Sequence, residues 1–318
     1  MPDSTIVCVS ANPAMDRRLR VVSLAMGEVN RAESAHGFAG GKAAHVAMAA
    51  RALTAKAVWI GFLGGPIGDD CARQMEDLGI QVVSIHTAAS TRVNLEIIED
   101  SGRVTEVLEP GIAPTAEEEE DFSQRCIKGI HQDWEGTILV ISGSLPAGLS
   151  PDFYVSLIDA AREAGAKAFI DTSGDALRES LNANPDFVKT NRAEAESLVE
   201  RPLKTTEEIV HAAREIIQRG SGSAAITLGR EGLIWFERKK GPVWMARPPR
   251  MNVISTVGCG DATLGGFACA AAQGIIGDEA LRLAAACGAA NCVAPAPGRI
   301  ELAIVQSLIP QIEVQQLF

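Results

Sequence analysis

Short apolar runs rich in valine and isoleucine, each followed by a longer stretch of helical periodicity, recur along this chain and constrain its fold most. Ile6-Val7-Cys8-Val9, Ala57-Val58-Trp59-Ile60, Ile138-Leu139-Val140-Ile141, Ala168-Phe169-Ile170 and Ala224-Ala225-Ile226-Thr227 are such runs. A strand buried on both faces has no polar side to show, and the helices between such strands are the crossovers that parallel pairing requires. The pattern predicts an α/β fold, a mainly parallel sheet with helices on both faces. Helix starts are predicted at Thr115 with Glu118, which form a capping box, at Ser150-Pro151, and at Thr206 with Glu207 and Glu208.

Two segments break the rhythm, roughly Arg17 to Phe38 and Thr91 to Glu109. In the second, Val93, Leu95 and Ile97 alternate with Asn94, Glu96 and Ile98 ahead of an Asp100-Ser101-Gly102 turn and a return strand, Val104 to Leu108. Period two around a glycine turn predicts a hairpin with one polar face. Strands outside the βα rhythm can form a small sheet over a site at the carboxyl edge of the main sheet, or an edge where two copies meet. The 318 residues are 47% hydrophobic, enough for a large core. We expect a single domain over residues 1–318, with a β lid built from about 17–38 and 91–109, and a homodimer formed through that lid.

With 29 basic and 40 acidic residues the net charge is −11. That disfavours nucleic acid or an anionic membrane as a partner, but it leaves room for a small basic pocket that takes a phosphorylated metabolite. The seven cysteines (Cys8, Cys71, Cys126, Cys259, Cys269, Cys287 and Cys292) are scattered, with no CxxC pair. They read as reduced core thiols rather than a zinc site or a disulfide frame. No apolar stretch approaches membrane-spanning length and Met1 to Ser10 has no basic segment before an apolar run, so a cytoplasmic location is expected.

Ser255-Thr256-Val257-Gly258-Cys259-Gly260-Asp261-Ala262 puts two glycines and a carboxylate where a loop becomes a helix. Glycines let successive amides turn toward an anion, and the helix N-terminus adds partial positive charge, which makes a cradle for phosphate. Beside such a cradle, Asp261 suits the removal of a proton from an attacking hydroxyl; as structure alone it is an ordinary cap after a glycine turn. The P-loop pattern GxxxxGK[ST] fails around Gly41-Lys42, where His36 and Ala43 stand at the required positions. The dinucleotide fingerprint fails at Thr263.

Seven motifs, in order, resemble the PfkB branch of the ribokinase-like sugar kinases, from about Ile6 to Arg299. They are Asn12-Pro13-Ala14-Met15-Asp16, then Gly27 to Arg31 with Ala39-Gly40-Gly41-Lys42, Thr91-Arg92-Val93-Asn94, Ser142 to Pro146, Val188 to Glu194, Thr227-Leu228-Gly229 with Gly232, and Gly258 to Asp261. The resemblance implies a three-layer α/β/α sandwich with a β-sheet lid, and transfer of the ATP γ-phosphoryl group to a hydroxyl of a hexose phosphate. Fructose 1-phosphate is the expected acceptor. Tagatose 6-phosphate and fructose 6-phosphate are alternatives, and a ribokinase- or nucleoside-type kinase or a non-catalytic sugar-phosphate sensor are more distant ones.

The resemblance also implies roles. Asp261 would be the base, and the amides of Gly258, Cys259 and Gly260 the anion hole. Asp16, Gly40, Gly41, Lys42, His45, Asn94 and Ser142 would meet the sugar, and Arg31 and Arg92 its phosphate. Lys189, Asn191, Thr227, Gly229, Gly232, Thr256, Gly258, Gly260 and Asn291 would bind ATP, and Asn191 with Glu194 would hold a hydrated Mg²⁺; as structure alone that last pair is an N-cap and N3 pair. Two residues depart from the family pattern. His45 stands where an Asn is usual, and Cys259 where a small residue is usual. A thiol at a helix N-terminus can lose its proton easily, be readily oxidised and be shielded by ATP; the alternative reading is an inert, buried substitute for a small residue, with the backbone amide of Cys259 rather than its sulfur serving catalysis.

Overall fold

The computed structural model describes residues 4–111, 113–133, 137–238 and 241–317. Its strands are β1 (Thr5–Ser10), β2 (Ala14–Val21), β3 (Ser34–Gly40), β4 (Lys56–Leu63), β5 (Gln81–His86), β6 (Arg92–Glu99) and β7 (Val104–Leu108). They continue with β8 (Ile138–Ser142), β9 (Lys167–Asp171), β10 (Phe187–Asn191), β11 (Ala224–Thr227), β12 (Leu233–Phe236), β13 (Val243–Arg247) and β14 (Glu313–Gln316). The helices are α1 (Lys42–Ala52), α2 (Gly65–Asp77), α3 (Ala116–Lys128), α4 (Val155–Glu163) and α5 (Gly174–Asn182). After them come α6 (Arg192–Val199), α7 (Thr206–Gln218), α8 (Cys259–Gln273), α9 (Gly277–Cys292) and α10 (Leu302–Leu308).

Every apolar run singled out from the sequence is a strand of one ten-stranded sheet, ordered β14-β13-β12-β11-β10-β9-β8-β1-β4-β5. Pairing is parallel from β11 through to β5 and antiparallel from β11 through β12 and β13 to β14. Successive side chains leave opposite faces of a strand, and the two cores follow that alternation. Ile6 and Cys8 of β1, Trp59 of β4 and Val140 of β8 pack with α1, α2, α8, α9 and α10. Val7 and Val9, Ile60 and Ile141 pack with α3 to α7 on the other face. This is a three-layer α/β/α sandwich.

The strand order reverses at β1, which lies between β4 and β8. At such a switch point the connections leave the carboxyl edge in opposite directions and open a crevice there. The segments that broke the rhythm form a separate four-stranded sheet, β3-β2-β6-β7, in which β2 pairs antiparallel with β3 and parallel with β6. Among the described residues no helix is long and apolar enough to cross a membrane.

Of the predicted helix starts, the Thr115 and Glu118 capping box is present. The third start shifts by one residue, because the box is closed by Thr205, which has Glu208 at the required spacing of three. At Ser150-Pro151 the chain makes turns instead: the N–H groups of Phe153 and Val155 reach back to the carbonyls of Ser150 and Asp152, and α4 begins only at Val155. That path buries Phe153 and Tyr154 before the helix starts.

Candidate active site

The carboxyl ends of β1, β8, β10 and β11, the lid sheet and the N-termini of α1 and α8 surround an open cavity of about 1450 Å³. The lid contributes Asp16, Arg92, Asn94, Glu106 and Leu108 to its wall. Alternation on β6 therefore turns Asn94 inward rather than to solvent, which explains a buried Asn in a two-sided strand.

Three side chains form a line from the lid to α8. Asp16 accepts a hydrogen bond from Asn94 Nδ2 at 2.9 Å, and its other oxygen lies 2.9 Å from Nε2 of His45 in an ion-pair contact. His45 Nδ1 is 2.8 Å from Oδ2 of Asp261 in the first turn of α8. The imidazole is only 4% exposed. Burial would depress its pKa, but the bonds to Asp16 and Asp261 and their charges outweigh it and hold the ring up at about 10. Asp16 is pulled below the usual carboxylate range, with its burial outweighed by His45, Asn94 and the Gly41 amide. Gly40 makes room for this arrangement, since a Cβ there would lie 2.2 Å from the Asp16 carboxylate.

A second cluster lies alongside. Lys42 Nζ is 3.0 Å from both Asp171 Oδ1 and Glu194 Oε1, and Lys189 Nζ is 2.5 Å from Asp171 Oδ2. Asp171 has no exposed surface; its burial is outweighed by the two ammonium groups, which lower its pKa. Burial of Lys42 is likewise outweighed, by Asp171, Glu194 and Asp261, which raise its pKa. Asn191 and Glu194 form the cap of α6: the Asn191 N–H donates to Glu194 Oε2 and the Glu194 N–H to Asn191 Oδ1, each at 2.8 Å.

Among the described residues no group of three or more His, Cys, Asp or Glu side chains gathers to hold a metal. Glu194 still fits an indirect role. Each carboxylate oxygen has two acceptor sites and here takes one bond, from Lys42 or from the Asn191 amide, which leaves capacity for the water shell that Mg²⁺ keeps.

Next to this cluster, where a Cβ on Gly260 would lie 2.8 Å from Lys189 Nζ, Gly258 caps α8 with φ +79°, a conformation that favours glycine. The first turn of a helix leaves its amides without intrahelical partners, and here that turn lines the cavity; the Cys259 amide donates to the Thr256 carbonyl at 3.2 Å. Asn291 reaches this loop from α9, donating from Nδ2 to the Val257 carbonyl at 2.7 Å.

Of the residues predicted from sequence, Asp16, Gly41, Lys42, His45, Arg92, Asn94, Lys189, Asn191, Glu194, Thr227, Gly229, Gly232, Thr256, Gly258, Cys259, Gly260 and Asp261 line the one cavity. Gly40, Ser142 and Asn291 lie behind its wall, buried. Arg31 is exposed and is not part of the lining. Easy ionisation of Cys259 is opposed by its surroundings: its sulfur lies 3.2 Å from that of Cys292, and this hydrogen bond and burial raise its pKa, while the same bond lowers that of Cys292. The two are half-buried in the cavity wall, unlike the other five cysteines, which are core thiols as expected.

Sequence reasoning missed Asp171, the hub of both lysines. Its signal was legible: it directly follows the apolar run Ala168 to Ile170, so it ends a buried strand at the carboxyl edge. It also missed Glu96, whose Oε1 accepts from Ser255 Oγ at 2.5 Å while Arg18 Nε donates to Oε2 at 2.6 Å.

A three-layer sandwich with a β lid, whose crevice holds a carboxylate at a helix N-terminus and two lysines on a buried aspartate, has parts suited to phosphoryl transfer. Residues 3–299 match the model of the pfkB family carbohydrate kinase. A 1-phosphofructokinase of Vibrio cholerae is 32% identical over 314 residues, 98% of this chain and 97% of that protein. Phosphofructokinase-2 from Escherichia coli in complex with fructose-6-phosphate matches with a TM-score of 0.87 at 26% identity, covering 98% of this chain and 99% of that one. The tetrameric inhibited form of phosphofructokinase-2 from Escherichia coli gives the same TM-score, 0.87, at 26% identity, with 98% and 99% of the two chains covered. The chain belongs to the pfkB family of carbohydrate kinases, and it is an ATP-dependent sugar-phosphate kinase.

Proposed function

We propose that the enzyme transfers the γ-phosphoryl group of ATP to the 6-hydroxyl of fructose 1-phosphate, giving fructose 1,6-bisphosphate, with Asp261 as general base. The observation that carries this reading is the line Asp16, His45, Asp261, which ends at the N-terminus of α8 inside the cavity. Because His45 Nδ1 donates to Oδ2 of Asp261, Oδ1 is left to accept the hydroxyl proton as the sugar oxygen bonds to phosphorus and ADP leaves. The amides and dipole of the α8 N-terminus stabilise the charge on the phosphoryl group in flight.

Asp16 and Asn94 orient the sugar through its hydroxyls. Arg92 takes the phosphate already on the sugar. Two of its nitrogens are held by the carbonyls of Glu109 and Asn12, but its buried Nε has no partner among the described residues, and a planar guanidinium suits phosphate. Arg31 is proposed to share this task from the lid, and Ser142 to support the loop beneath the sugar. Lys189 neutralises the triphosphate, with Thr227, Gly229, Gly232 and Thr256 along the nucleotide and Asn291 fixing the loop that faces it. Magnesium bound with the nucleotide offsets triphosphate charge, and Asn191 and Glu194 would hold its water shell.

Relatives named 1-phosphofructokinase support fructose 1-phosphate; the fructose-6-phosphate complex of the Escherichia coli relative favours fructose 6-phosphate as the second reading. ADP release measured against fructose 1-phosphate, fructose 6-phosphate and tagatose 6-phosphate separates these. We expect the highest kcat/KM with fructose 1-phosphate, and a preference for either 6-phosphate overturns the choice. Asp261→Asn is expected to lower kcat by about 10²-fold or more with nucleotide affinity retained. An undiminished variant would remove Asp261 as the base. The enzyme is further proposed to work as a dimer joined through its lid, which carries exposed apolar residues.

A further inference from the structure

Two of the seven cysteines meet across the mouth of the anion loop. Cys259 opens α8 and Cys292 closes α9, and their sulfurs are 3.2 Å apart although 33 residues separate them in sequence. The meeting is a consequence of close helix packing: at Gly288, one turn before Cys292, a Cβ would lie 2.3 Å from Thr263 Oγ1 and 3.2 Å from the Cys259 carbonyl. Without a side chain at that position α9 comes within reach of the first turn of α8.

We propose that Cys259 and Cys292 form a reversible redox site, which a hydroperoxide oxidises to an intramolecular disulfide with loss of phosphoryl transfer. The chemistry takes two steps. The Cys292 thiolate attacks a peroxide oxygen and breaks the O–O bond, giving the Cys292 sulfenic acid and releasing an alcohol, or water from hydrogen peroxide, once the departing oxygen takes a proton. The Cys259 sulfur then gives up its proton and attacks the sulfenic sulfur. The S–S bond forms, the S–O bond breaks and a water leaves. The two thiols have together lost two electrons and two protons, and the peroxide has been reduced.

Several features on the same wall favour this pair over the other thiols. Both residues border the cavity, so a small oxidant reaches them when the nucleotide does not cover them. Either sulfur can donate in the contact between them, and with Cys259 as the donor it favours the thiolate of Cys292. Cys8, Cys71, Cys126, Cys269 and Cys287 are buried, and burial raises their pKa values. The sulfurs need to close by about 1 Å to reach disulfide bonding distance. That movement draws on the backbone of Cys259, between the glycine cap and Gly260-Asp261. The same loop is held from α9 by Asn291, which contacts both the Val257 carbonyl and, at 3.4 Å, Cys259 Sγ. A covalent bond between the helix ends therefore displaces the amides and the carboxylate on which the proposed transfer depends.

The test exposes the reduced full-length protein to hydrogen peroxide and maps its peptides by mass. We expect a peptide pair joined through Cys259 and Cys292, two hydrogens lighter than the reduced pair. Turnover should fall by about 10²-fold and return with dithiothreitol, and MgATP should slow the loss. Cys292→Ala and Cys292→Ser, each compared with its own untreated activity, should resist the same exposure and give no linked pair. The proposal is overturned if the linked pair does not form, if sulfinic acid or an intermolecular disulfide forms instead, or if the linked protein turns over undiminished. The linkage is read by mass, so an error in the proposed sugar substrate leaves it untouched.

Discussion

His45 is the side chain that joins Asp16 of the lid to Asp261 in the first turn of α8. Between Asp16 and Asp261 its ring is held as an imidazolium with a pKa of about 10, against about 6.5 for an exposed histidine. A group whose folded pKa is raised stabilises the fold fully below its unfolded pKa, and that contribution is lost as pH rises through the folded value. Stability should therefore decline between roughly pH 6.5 and 10 by more than the remaining groups account for. Urea unfolding of the wild type and of His45→Asn across that window checks this, with the variant expected to lack the extra decline. Parallel pH profiles for the two proteins would show that the imidazolium is not held as described. The lysine cluster obeys a different balance, two ammonium groups against Asp171 and Glu194. At this scale the sequence pointed to Lys189 by its place after a buried run, and to Asp261 only through the motifs upstream, since an acid at a glycine-rich helix start is on its own an ordinary cap. It did not make the bridge by His45 legible, since both of its partners come from other elements, one of them 216 residues away.

Between elements, a second buried acid besides Asp16 clasps the lid to the core. Glu96 of β6 takes Arg18 of β2 and Ser255 of the anion loop, while Arg18 also donates to the Pro295 carbonyl at 2.6 Å and Ser255 Oγ accepts from the Val257 amide at 3.1 Å. The loop that precedes α8 is thus set in part by the lid. Removing one partner of a buried ion pair leaves the other charge uncompensated, at a cost of about 3 kcal/mol. Glu96→Ala should destabilise the protein by that order and raise KM for the sugar phosphate, and the double variant with Arg18→Ala should be less destabilised than the two singles added together. A double-mutant cycle by denaturant unfolding checks it, and additivity within about 0.5 kcal/mol would sink the clasp. The strands of both sheets were readable because burial on two faces, or on one, writes itself into residue spacing. What the period could not say is where a polar face points: Asn94 and Glu96 alternate as a solvated strand would, yet they are buried because the lid lays that face over the crevice. The shift from Thr206 to Thr205 and the late start of α4 are boundary errors of the ordinary kind, where a turn and a first helical turn share the same residue types.

For the molecule as a whole, the reversal of strand order at β1 fixes where the site lies, and the lid fixes what else the surface must do. Among the described residues, the large exposed apolar side chains are concentrated on the lid: Val22, Met26 and Val29 in the connection from β2 to β3, and Val107 and Leu108 on β7. Met26 is 88% exposed and Val29 79% exposed, and a sheet with open edges at β3 and β7 presents both apolar area and unpaired backbone groups. A second copy of the chain presented by a two-fold axis would cover both, since an isologous contact places the same patch on each side. A carboxylate buried in such a contact lacks a partner, so Met26→Glu together with Val29→Glu should leave a folded monomer. Sedimentation velocity of the wild type and the double variant at equal concentration checks this, with circular dichroism to show that the fold persists. A wild type that sediments as a monomer, or a variant that sediments as the wild type does, would place the association elsewhere and leave the apolar lid without this explanation.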